Sequence, residues 1–185
     1  MAISVDLRAD LRQVEKMLAG LRQDAPVVLS RAINRTLTPV RATAAREIAR
    51  DLKVRVGTAR GAMALKRARP QQLTGEVAAS GKRIALIEFR ARQVATGVSY
   101  DLGRGRQVAR GAFVPGARQG EPTKRAVFRR VGKTRLPVQF LRGPSIPRVF
   151  VQKKITGALR ATSDARWPRE VQAQLRFLIS RLGAR

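Results

Sequence analysis

The chain has no cysteine and no histidine. The first absence removes thiol nucleophiles, disulfides and thiolate metal ligands. The second removes the side chain that most often serves as a general base near neutral pH, and the commonest metal ligand. Aromatic residues make up only 4% of the chain, with one Trp and one Tyr. The core must therefore come from Leu, Val, Ile and Ala, which favours helix packing and small sheets over a large aromatic sandwich. No apolar run approaches the roughly 18 residues that a membrane-crossing helix requires. Asp6, Arg8 and Asp10 place charge where a secretion signal would carry its apolar segment. The expectation is of a protein made and used in a cytoplasm, or in a particle assembled there.

Acidic residues are also scarce: 12 Asp+Glu face 39 Lys+Arg, a net charge of +27 on 185 residues. Such a field draws polyanions: nucleic acid, anionic membrane or acidic protein surfaces. Arg outnumbers Lys by 31 to 8. That skew has two readings, codon usage or function, but codon usage does not explain the shortage of acids. Hydrophobic residues reach 44%, enough to bury a core despite the charge.

Periodicity divides the chain into helical ends and a strand-rich middle. Leu7, Leu11, Val14, Leu18 and Leu21 mark one face of a helix over about Val5–Arg22. Asp24-Ala25-Pro26 reads as a break and a new helix start. Leu29, Ile33, Leu37, Val40, Ala44, Ile48 and Leu52 then continue a second stripe. Thr38-Pro39 lies in its middle and predicts a kink or restart, with Thr38 capping the second half. A shorter helix is expected after Gly57-Thr58, carrying Ala62, Leu65, Lys66, Arg67 and Arg69 up to Pro70.

Beyond Pro70 the period changes. Leu73–Val77 and Arg83–Phe89 read as strands joined by a Ser80-Gly81 turn. Ala91–Ser99 reads as a third strand or an irregular crossing. Residues 101–123, rich in Gly, are expected to form a mobile loop, with a short strand at Ala112, Phe113 and Val114 as the alternative. The clearest hairpin runs from Lys124–Arg130 through Val131–Thr134 to Arg135–Leu141, and Pro137 argues that its second arm is an edge strand. Gly143, Pro144, Ser145, Ile146 and Pro147 read as a rigid structural connector to a helix over about Arg148–Ala161, and Asp164 as the cap of a terminal helix. The fold class is α+β: N-terminal amphipathic helices, a small antiparallel sheet with a long Gly-rich loop and edge hairpin, and C-terminal helices. The segments are 1–70, 71–147 and 148–185, taken as one structural domain with helical extensions.

Charge is distributed unevenly over these segments. Residues 102–163 carry 15 basic groups and one acid, Glu121, a net of +14, whereas residues 71–101 net only +1. The candidate contacts to an anionic partner or DNA are Arg104, Arg106, Arg110, Arg118, Lys124, Arg125, Arg129, Arg130, Lys133, Arg135 and Arg142. For any one of them, a solvated loop or an ordinary charged strand face is an equal alternative. No helix-turn-helix, zinc finger or RNP-like aromatic pair supports sequence-specific reading of nucleic acid, and Tyr100 and Trp167 are too isolated to form a stacking platform. Asp6/Asp10 and Glu47/Asp51 have the spacing of solvent-facing helical pairs. Leu102-Gly103-Arg104-Gly105-Arg106 lacks the Gly-Lys-Ser/Thr end of a P-loop. No catalytic, metal-binding or cofactor-binding residue is assigned, no cofactor is expected, and the chain is not expected to be an enzyme.

Two groups of residues resemble a known family. Ala32-Ile-Asn-Arg-Thr36, followed by Val40-Arg-Ala-Thr-Ala-Ala-Arg-Glu-Ile-Ala49, is similar to the N-terminal helix of the phage minor tail protein Z family. Ala126–Gly132, Arg135–Val138 and Leu141-Arg-Gly-Pro-Ser-Ile146 resemble that family's hairpin and connector, in the same order and spacing. The resemblance implies a structural, non-enzymatic part that completes the tail at its head-proximal end, near the tail terminator, tube or connector and the DNA path. A homo-oligomeric ring, head-tail connection, residence in the virion tail and passage through the host cytoplasm during assembly follow as expectations. Sequence-independent contact with genomic DNA stays open, and no membrane is involved. The alternatives are a non-specific nucleic-acid-binding protein and a tail-assembly chaperone absent from the mature particle.

Overall fold

The carbonyl of Asp24 accepts the N–H groups of both Val27 and Val28 at 3.1 Å, so helix α1 (Ala25–Leu52) starts at the expected break. Pro26 sits in the first turn, where the N–H it lacks would have had no partner. The computed structural model describes residues 24–81, 83–103, 105–117 and 126–182. The helix expected over Val5–Arg22 lies outside these residues.

All seven apolar positions of the second stripe, Leu29 to Leu52, are buried. The helix runs through Pro39 without a restart. Thr38 does not cap a second half; its hydroxyl donates back to the Asn34 carbonyl at 3.4 Å. Leu37 and Val40 are buried on either side of the proline, so packing holds the helix across a local breaker.

The described chain divides into two units. The first takes 24–44, 63–79 and 151–182; the second takes 45–62 and the described residues of 80–150.

In the first unit, helix α2 (Val56–Gly61) of the other unit is followed by strand β1 (Met63–Lys66), which pairs antiparallel with β2 (Glu76–Ala79). This corrects two expectations. Leu65 and Lys66 lie on a strand instead of a helix, and Val77 pairs with Leu65 instead of with the Arg83–Phe89 segment. A cross-strand ion pair of 2.9 Å between Lys66 and Glu76 matches the register. Asn34 ties α1 to the connection after β1: its side-chain amide donates to the Ala68 carbonyl at 2.9 Å, and its carbonyl oxygen accepts the Ala68 N–H at 2.8 Å. Helix α4 (Lys153–Leu182) completes the unit. Ile155, Leu159, Ser163, Val171 and Leu175 are buried at steps of four or eight residues, and half-buried Trp167 fills the gap between them. That stripe crosses Pro168, so Asp164 lies inside one continuous helix and caps nothing. Thr162 meets Thr43 at 3.3 Å, while Val171 and Leu175 pack on Val28, Leu29 and Ala32. The two helices therefore run antiparallel.

The second unit replaces the single expected sheet with three small ones. Strand β3 (Arg83–Ala85), followed by a 3-10 turn at Leu86–Glu88, pairs with β10 (Arg142–Ser145). The register slips between Arg142 and Ser145, where Pro144 has no N–H to give a ladder. The connector is thus a bulged strand, and it leads into short helix α3 (Ile146–Phe150) instead of a helix beginning near Arg148. Strands β4 (Arg92–Val94), β5 (Gly97–Asp101) and β6 (Arg106–Arg110) form an antiparallel meander. Strands β7 (Ala112–Phe113), β8 (Phe128–Arg130) and β9 (Val138–Phe140) form another.

Two of these strands fall in the segment expected to be a mobile loop. β6 pairs with β5 along its whole length, from Gly97↔Arg110 to Asp101↔Arg106. Gly103, Gly105 and Gly111 take positive φ at the turns flanking β6, so these glycines shape turns instead of loosening the chain. Residues 118–123 lie outside the described set. The expected hairpin is present as β8 and β9, with β9 at the sheet edge as Pro137 required.

Candidate functional site: an arginine-lined cleft

β6, β8 and β10 each deliver one arginine to a common cleft. Arg110 ends β6, Arg129 is the middle residue of β8, and Arg142 opens β10. With Tyr100, Leu86, Val108, Ala109 and Leu141 they line an open cavity of about 370 Å³. Two backbone bonds hold its walls in register. Leu141 donates its N–H to the Val127 carbonyl at 2.9 Å and accepts the Leu86 N–H at 3.2 Å. The chain between β9 and β10 thus links the strand region of β8 to the turn after β3.

An aromatic row braces the same region. Phe113, Phe128 and Phe140 face one another across β7, β8 and β9, with ring centroids 6.3 and 5.8 Å apart. The Arg142 guanidinium lies 5.3 Å from the Phe140 ring centroid, and the Arg130 guanidinium 5.5 Å from that of Phe113. Both distances suit a cation–π contact.

The other candidate residues separate by role. Arg106 is a clamp: its guanidinium donates to the Ser99 hydroxyl at 2.6 Å and to the Arg90 carbonyl at 3.2 Å. Arg130 covers Phe113. Lys133 and Arg135 are exposed in the β8–β9 turn, beside the exposed apolar residues Val131 and Leu136. Arg104, Arg118, Lys124 and Arg125 lie outside the described residues. Gly143, Pro144 and Ser145 form β10, and Pro147 is buried in α3. Sequence reasoning missed Leu86, Tyr100, Val108, Ala109 and Leu141 as lining, and the Phe row as support. Only strand pairing brings them together, and no local pattern carries it.

The carboxylates near the cleft are engaged elsewhere. Asp101 accepts the Gly103 N–H at 2.8 Å. Glu88 accepts from Arg55 at 2.9 Å and from the Thr58 hydroxyl at 2.7 Å. Burial works to raise the Glu88 carboxyl, but the hydrogen bonds from Arg55 and Thr58 and the Arg55 charge outweigh it and hold it below its ordinary value of 4.5. Because the folded value is depressed, this pairing stabilises the protein fully above pH 4.5 and stops doing so as pH falls through the lowered value. The Arg55 side chain is 78% exposed, so screening limits the contribution to about 0.5–1 kcal/mol. Glu88→Gln is therefore expected to be less stable than the parent by that amount at pH 7. The gap should close as acid protonates Glu88 in the parent. Urea midpoints at pH 7 and below pH 4.5 check this; a gap that persists in acid would contradict it.

Among the described residues no group of His, Cys, Asp and Glu could hold a metal ion. No described helix is long and apolar enough to cross a membrane.

Residues 10–181 match the family described as Prophage minor tail protein Z (GPZ). The chain belongs to that family. This minor tail protein Z family member is accordingly a structural protein of a phage tail. No curated protein and no solved structure matches it. The family match spans α1, every described strand and nearly all of α4, so it covers the cleft as well as these helices. Within the family's resembling segments, the structure gives particular residues a task. Asn34 clamps Ala68, and Arg142-Gly-Pro-Ser145 is the bulged strand at the cleft wall.

Proposed function

We propose that this protein is a non-enzymatic part that completes the tail at its head-proximal end, assembled as a ring around the DNA path. The observation that carries the proposal is the family match from residue 10 to residue 181. Two features support it. The chain has neither thiol nor imidazole, the groups most used for nucleophilic and acid–base chemistry near neutral pH. Exposed cations also lie on strands of the second unit and on its β8–β9 hairpin, where they suit docking to an anionic neighbour. Neighbouring tail and neck proteins are the partners, and contact with genomic DNA would be independent of sequence.

Mass spectrometry of gradient-purified particles tests this. The chain should be present at a level comparable to other minor tail components. A chain abundant in infected cells but absent from finished particles would contradict the proposal and identify an assembly chaperone.

A further inference from the structure

Arg110, Arg129 and Arg142 are exposed, and among the described residues none of them makes an ion pair. Leu86, Val108 and Leu141 contribute aliphatic groups to the lining of the same cleft. Cationic and aliphatic groups in one lining together select a ligand that is acidic and carries apolar side chains. Guanidiniums take carboxylates in paired hydrogen bonds, and a cavity of about 370 Å³ lies at the small end of ligand-site sizes. It suits a few side chains.

We infer that this cleft receives an acidic, leucine- or valine-bearing stretch of polypeptide from a neighbouring protein. That the neighbour is a tail protein rests on the proposed function. The hairpin of a second copy does not suit this cleft, since exposed Lys133 and Arg135 would bring like charge to like; ring contacts between copies would use other surfaces. Duplex DNA presents phosphates on a broad convex surface, which would pair with the arginines and leave the aliphatic lining without an apolar partner. Single-stranded nucleic acid binds through series of aromatic faces. Phe113, Phe128 and Phe140 do not line the cleft, whose lining holds a single aromatic residue, Tyr100.

Fluorescence anisotropy with the full chain tests the assignment. The probe is a labelled peptide of alternating glutamate and leucine, roughly ten residues long at about 3.3 Å per residue. An oligothymidine of similar length is the comparator, in about 0.15 M salt. The peptide should bind more tightly than the oligothymidine. R110Q/R129Q/R142Q should weaken peptide binding by about tenfold or more. R160Q/R166Q/R169Q, which removes the same charge from exposed positions of α4, should stay within about twofold of the parent. R110Q/R129Q spares the Arg142–Phe140 contact and should still lose several-fold, which covers the case of a misfolded triple variant. Equal losses in the two triple variants would reduce the effect to net charge and overturn the assignment. So would tighter binding of the oligothymidine. Particles lacking the chain would instead remove the tail role and leave the peptide result standing.

Discussion

Replacing Phe89 by alanine is expected to lower unfolding stability by about 3–5 kcal/mol, the range for deleting a buried aromatic ring. Phe89 is fully buried, directly after the turn that carries Leu86 and Glu88. Its ring lies against Gly143: a Cβ at that position would stand 2.3 Å from Phe89 Cε2 and 2.9 Å from Cζ. Glycine is thus required in the Gly-Pro-Ser strand because the ring occupies the space a side chain would take. Gly143→Ala alone should cost about 2–3 kcal/mol from overpacking. In the Phe89→Ala background the new methyl falls into vacated space, so the double variant should be little worse than Phe89→Ala alone. A double-mutant cycle read by urea unfolding measures this coupling, expected at about 2 kcal/mol. Strictly additive losses would contradict the packing of Phe89 on β10. Because Arg142 and Leu86 flank this contact in sequence, Phe89→Ala should also weaken whatever binds the cleft.

The second large effect lies at Gly97. A Cβ there would stand 2.1 Å from the Ala109 carbonyl oxygen and 3.1 Å from Arg110 Cα, at a φ of +152°. Both neighbours are backbone atoms of β6, so relief requires breaking the β5–β6 ladder itself. Overpacking and an unfavourable backbone angle together predict a loss of roughly 3–4 kcal/mol for Gly97→Ala. Gly57, in α2, is the control. Nothing lies within 4 Å of its Cβ position, and alanine there should be neutral or stabilise by up to about 1 kcal/mol. Thermal melts of the two variants should therefore move apart. Equal melts would mean that β5 and β6 do not meet in this register, and Arg110 would lose its place at the cleft.

Much of the helical architecture was legible in the sequence because its signals are local. Pro26 marks the start of α1, and the Leu29-to-Leu52 stripe marks its buried face. The β8–β9 hairpin was legible for the same reason, since its turn and both arms are contiguous and Pro137 assigns the edge. What the sequence concealed was partner choice. β2 and β3 are neighbours in the chain, with an apparent turn between them, yet β2 pairs with β1 and β3 with β10, about sixty residues away. Short apolar stretches such as Met63–Lys66 fit a helix or a strand equally well until the pairing partner decides. Two expected helix starts misled in the other direction. Thr38-Pro39 and Asp164 each read as a start, but buried residues on both sides carry each helix through.

The cleft shows the same division. Composition singled out the basic 102–163 segment, and Arg110, Arg129 and Arg142 were among its candidates. Which arginines converge depends on three separate strand registers, which local periodicity does not contain. Arg106 and Arg130 looked equivalent to them in sequence, but Arg106 bonds Ser99 and Arg90 while Arg130 lies over Phe113.

The place proposed for this protein is the end of the tail that meets the head. It is tested most directly by attaching a gold label to the chain in functional particles and locating it by negative-stain electron microscopy. Gold should appear at the junction of head and tail. Label at the distal tip, or spaced along the tube, would contradict it.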